Sequence, residues 1–159
     1  MSLLPFAQWC EASAAGHAIR TSPWAFAVIE SIHLLALSAI GGAVLVVDLR
    51  LLGYGLKHQP VARVARDAHP WLVGSLLVML ASGAGLFLSE SIKCYYSTPF
   101  RVKMISLLLA VCFAFTVHHR VAMEDETRVR PRWRALVALV SLALWFCVGA
   151  SGRWIGFSG

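Results

Sequence analysis

Charge is scarce in this chain: 14% of its 159 residues are Asp, Glu, Lys or Arg against 58% that are hydrophobic, which is too apolar for a soluble fold of this length. That shortage makes a lipid bilayer the expected solvent. The apolar runs also lack period-2 alternation, which excludes a transmembrane β-barrel; because lipid cannot hydrogen-bond a backbone, helices remain. Among the four cysteines there is no CxxC and no CxxCH, so neither a cysteine zinc site nor a covalently attached c-type haem is expected. No nucleophile with a base, no phosphate loop and no paired catalytic carboxylates stand out, which leaves no case for hydrolysis or group transfer. The start of the chain has no basic n-region, so no cleavable signal peptide is expected.

What the chain does have is four long apolar runs. They predict an all-α, integral membrane four-helix bundle, up-down and antiparallel, with spans at about 24–47, 71–89, 99–117 and 135–152. Ser22-Pro23 opens the first span and Thr98-Pro99 the third, each as a cap followed by a proline in the first turn. Asp48 and Arg50 mark the exit of the first. Residues 1–22 are expected outside as a segment with a short interfacial helix, residues 23–154 as the bundle, and residues 155–159 as an outer tail.

The net charge of +6 does not point to nucleic acid, since the basic residues lie in the gaps between apolar runs rather than in a stripe. They read as orientation signals. Arg50, Lys57, Arg63 and Arg66 lie between spans one and two, and Arg120, Arg128, Arg130, Arg132 and Arg134 between spans three and four. Both loops should face the cytoplasm, leaving both termini outside.

Ionisable groups inside a span are costly and usually face the bundle interior. Glu30, His33, His69, Glu90, Lys103, His118 and His119 are the ones to weigh. At about 100° per residue, Lys103 and His118 share a face of span three whereas His119 points away, so His118 is the inward histidine. His69 and Glu90 share a face of span two. Packing these faces sets His69 near His118 at the cytoplasmic rim and Glu90 near Lys103 at the outer rim, where Glu30 reaches Lys103 as well. The outer cluster reads either as charge neutralisation or as a proton or cation path, or as contact with a quinone head group.

Two imidazoles on facing membrane helices are what axial ligation of a b-type haem requires. His69 and His118 are the expected pair, with Arg50, Arg66 and Arg120 available to the propionates. His33 is the alternative ligand, with Met79 as its soft partner if a second haem is held. Span four has no histidine, which argues for one haem rather than two. Gly41, Gly42, Gly83, Gly85, Gly149 and Gly152 allow close approach of helices or of a flat cofactor.

Glu30-Ser31-Ile32-His33, His69-Pro70, Arg101-Val102-Lys103 and His118 together resemble a family of uncharacterised small bacterial membrane proteins, itself distantly similar to four-helix cytochrome b and copper-resistance D-like proteins. The resemblance covers about residues 23–154. It implies haem b, electron transfer and a place in the inner membrane.

Cys10 and Cys94, both expected outside, are placed to form a disulfide. Three functions follow as expectations. The first is a haem b carrier, redox-active rather than a stand-alone enzyme, between a quinone or dehydrogenase and an outside acceptor such as a periplasmic cytochrome c. The second is copper handling through Glu30, His33 and methionines. The third is a structural subunit assembling with other subunits of a larger membrane complex.

Overall fold

The computed structural model describes residues 4–56, 58–125 and 128–155. Lys57 and the parts of the expected terminal segments at 1–3 and 156–159 lie outside the described residues. Among the described residues every regular element is helical.

Two short helices come first, α1 (Leu4–Ala12) and α2 (Ala14–Thr21). Ser13 separates them: its Oγ accepts from the Gly16 N–H at 3.1 Å and so caps α2. The first span is α3 (Ala25–Leu51), whose entry is held by Ser22 Oγ accepting from the Ala25 N–H at 3.2 Å, with Pro23 in the turn just before the helix. The second is α4 (Val61–Ser89), followed by the short α5 (Ser91–Tyr96). The third span starts as α6 (Thr98–Phe113), passes through one π-helical turn at Ala114–His118 and ends as α7 (His119–Met123). Ser97, one residue before the expected Thr98, is the cap, accepting from the Phe100 N–H at 3.3 Å. The fourth span is α8 (Pro131–Ile155).

These four helical stretches are each long and apolar enough to cross a membrane. At most 33% of any apolar window is buried, and mid-helix side chains such as Leu35, Leu77, Leu108 and Phe146 are exposed. Such an apolar exterior is stable only against lipid. The protein is a multi-pass membrane helical bundle.

The helices are longer than the expected spans. At 25 to 29 residues they reach roughly 38 to 44 Å, past a hydrocarbon core of about 30 Å. The excess lies mostly at the basic end, where α4 begins ten residues early and runs straight through Pro70. The proline removes the hydrogen bond that the Arg66 carbonyl would receive, and its ring crowds that carbonyl. The early turns are kept by packing: Val61 and Val64 lie in an apolar cluster with Leu51, Val121, Ala122, Val137 and Ala138.

Around the bundle, α3 lies against α4 and α8, α6 lies against α8, and α7 returns to α4. The third span thus stands diagonally across from α3 and runs in the same direction. A second apolar cluster, centred on Ile40, Val44, Met79, Leu107, Ala110, Trp145 and Val148, fills the middle of the bundle. At the end away from the basic loops, α2 packs on α4 and α1 on α5, forming a cap rather than a lone interfacial helix. Gly16 is required there, because a Cβ would collide with the Leu88 carbonyl oxygen.

Candidate functional site

Two polar links cross the diagonal of the bundle, one on each side of the central apolar layer. At the capped end, His33 is buried on α3. Its Nδ1 lies 3.0 Å from both the Met79 carbonyl oxygen and Ser82 Oγ. A carbonyl can only accept, so Nδ1 carries the proton and Nε2 holds the lone pair of the neutral ring. Lys103 Nζ stands 3.1 Å from Nε2 and donates to it. Glycine gives room on the His33 side, while on the Lys103 side a methyl group would make only an ordinary contact. A Cβ at Gly83 would lie 3.1 Å from His33 Cε1, and one at Gly152 would lie 3.5 Å from Lys103 Nζ.

This corrects the expected outer cluster. Glu30 is exposed on α3 and does not reach Lys103. Although i and i+3 share a broad face, that face is wider than the buried stripe, and His33 takes the interior position. Glu90 pairs with its own neighbour Lys93 at 3.9 Å. Met79 does meet His33, but through its backbone oxygen. With Glu30 outside and both ring nitrogens of His33 engaged, the donor set expected for copper is not assembled. Among the described residues no group of three or more His, Cys, Asp or Glu is placed to hold a metal ion.

At the basic end, His118 Nε2 lies 2.7 Å from Asp48 Oδ1. Asp48 is 0% exposed and takes a second hydrogen bond from the Ser141 hydroxyl, while its Oδ2 has no partner. A contact this short needs one proton between imidazole and carboxylate, whichever group carries it. Sequence reasoning placed Asp48 outside the span and missed it. The signal was its spacing: Asp48 follows His33 by fifteen residues, as His118 follows Lys103, and both links join residues seventy apart. Fifteen residues leave two side chains within about 60° of one face and about 22 Å apart along the helix.

The rim histidines meet differently from expectation. His69 is exposed, and its ring lies 5.8 Å from that of His119, inclined at 58°. Its other aromatic neighbour is Phe115, edge-on at 6.2 Å. The ring beside His69 is therefore that of His119, while His118 turns inward to Asp48. The expected directions of His118 and His119 hold; what differs is His69, which is exposed and so meets the outward ring rather than the inward one. All three histidines nevertheless line one groove, together with Phe115, Val44 and Val47 of α3 and Ser141 of α8. Its cavity is about 40 Å³, room for roughly two or three waters and far below the few hundred Å³ of a cofactor pocket. What fits a b-type haem is therefore the donor set, the two exposed imidazoles of His69 and His119, and not the enclosed space. Of the expected propionate partners, Arg66 and Arg120 are exposed at this end, whereas Arg50 Nε donates to the Gln59 carbonyl at 2.8 Å and closes the α3–α4 loop.

In the cap, Glu11 ties three helices together. It pairs with Arg20 at 2.7 Å and accepts from the Ile92 N–H at 2.9 Å. Cys10 and Cys94 are both buried, on the packed helices α1 and α5, and stand as free thiols. Burial, reinforced by the Glu90 carboxylate, pushes the Cys94 thiol up to about 11.

The chain belongs to DUF6644, a family of unknown function, which it matches over residues 6–158. No curated protein and no solved structure matches it. The expected likeness to cytochrome b and copper-resistance D-like proteins thus gains no support from these comparisons.

Proposed function

We propose that this DUF6644 chain is a membrane electron carrier that binds one haem b at its basic end through His69 and His119. The observation that carries the reading is the convergence of His69, His118 and His119 on one groove, with the two exposed rings 5.8 Å apart. Haem, when bound, supplies one-electron chemistry. The chain supplies two accessible imidazoles, a cationic rim from Arg66 and Arg120 for the propionates, and Phe115 as an apolar wall. The Asp48–His118 link fixes the third span against α3 just beneath the groove and holds the helix from which His119 projects.

In this reading the basic end faces the cytoplasm of a bacterial inner membrane, following the arginine-rich loops, and both termini lie outside. Electrons pass between a quinone or dehydrogenase and an outside acceptor of the cytochrome c kind. Expression with haem supplied, followed by absorption spectroscopy of the purified chain, tests it. A b-type spectrum lost in both His69→Ala and His119→Ala supports the reading, and a colourless wild-type protein rejects it.

Exposed Glu30 favours a second reading, assembly with other subunits of a membrane complex. A carboxylate on the outward face of a span is costly in lipid and is relieved by a partner's cation. Co-purification of fixed partners, lost in Glu30→Leu, would favour that reading.

A further inference from the structure

The His33–Lys103 link has unspent hydrogen-bonding capacity. An ammonium carries three N–H donors, and Lys103 gives one to His33 Nε2. Among the described residues it forms no ion pair and no second hydrogen bond. The Ser82 hydroxyl oxygen accepts from His33 Nδ1 at 3.0 Å rather than from Lys103. Lys103 sits five residues into α6, about 7.5 Å along the helix, and is half-buried. An incompletely bonded ammonium at this depth calls for an acceptor from outside the chain.

The surroundings narrow what that acceptor is. Val102 and Met104, on either side of Lys103, are exposed apolar side chains of the lipid-facing surface. The α1–α2 pair stands over the same end of α4. A ligand arriving through the bilayer is lipid-soluble, and to satisfy a donor-only group it presents carbonyl oxygens.

We infer that Lys103, held by His33 against Ser82 and the Met79 carbonyl, binds the head group of a lipid-soluble quinone through one of its carbonyl oxygens. His33 is the positioning residue: its ring, locked by two acceptors on Nδ1, fixes where the ammonium stands. The inference rests on the electron-carrier reading for the purpose of the quinone, but not for whether it binds. The site lies at the opposite end of the bundle from the rim histidines.

The test uses the full-length chain in lipid nanodiscs, prepared without added haem and titrated with a short-tailed ubiquinone analogue by tryptophan fluorescence. Saturable quenching is expected in the wild type, weakened at least about tenfold in Lys103→Met and unchanged in the exposed-lysine control Lys93→Met. Ser82→Ala, which keeps the lysine, is expected to weaken binding by a smaller factor, and provides the readout if Lys103→Met fails to fold. Absence of saturable quenching in the wild type overturns the inference. So does binding that Ser82→Ala and a folded Lys103→Met leave untouched, or displacement of the quinone by phosphate at equal concentration. A haem-loaded protein that ignores quinone refutes this site alone, and a colourless protein that binds quinone refutes the haem alone.

Discussion

Replacing Asp48 tests whether the bundle is tied across its diagonal. Asp48 is fully buried, bonded to His118 at 2.7 Å and to Ser141. Asp48→Ala strands the imidazole of His118 with an unmade hydrogen bond, and breaking a buried pair from one side costs about 3–5 kcal/mol. Asp48→Asn keeps an acceptor oxygen of the same shape and should cost about 1 kcal/mol. Replacing both partners together, as Asp48→Leu with His118→Phe, removes the stranded group and should recover much of the loss, because apolar replacement of a buried pair is often neutral or better. Reversible unfolding in mixed micelles, followed by tryptophan fluorescence, measures all three. If Asp48→Ala and His118→Ala are each neutral, or their losses simply add in a double-mutant cycle, the link carries no energy and the diagonal account is wrong.

Four further outcomes are expected. Gly16→Ala drives a methyl group into the Leu88 carbonyl and should loosen the cap, seen as faster proteolysis before Ala25 with the four spans intact. Because its thiol titrates near 11, Cys94 is about one part in a thousand thiolate at pH 8, so its alkylation should rise about tenfold per pH unit from there toward 11; a plateau near pH 9 would contradict the buried setting. Gly83→Ala pushes on the His33 ring and should weaken quinone binding as Ser82→Ala does, read by the same titration. For orientation, Tyr96→Cys should react with an impermeant maleimide in intact spheroplasts and His58→Cys only after lysis; the reverse pattern would invert the topology.

Much of the architecture was legible because the bilayer imposes it. Runs of about twenty apolar residues, interrupted by arginine and opened by Ser22-Pro23 or Thr98-Pro99, leave little choice of fold. The shared inward face of Lys103 and His118 was legible from helical periodicity, whereas periodicity did not separate buried His33 from exposed Glu30. Three further things were not legible. Asp48 was assigned to the membrane exit because a carboxylate is costly in lipid, but α3 continues past it and the diagonal partner His118 takes it in. The second span was expected to begin at about residue 71, yet tertiary packing of Val61 and Val64 carries α4 ten residues further back. The pairing of His69 with His119 was hidden because His69 was expected to face inward beside His118, whereas it is exposed and meets the outward ring.

The groove histidines matter most, and the visible spectrum of the dithionite-reduced, purified chain tests them most directly. The wild type should show a sharp b-type alpha band that persists in His33→Gln and vanishes in both His69→Ala and His119→Ala. A band that survives both rim substitutions, or no band at all from protein made with ample haem, contradicts haem ligation by these histidines.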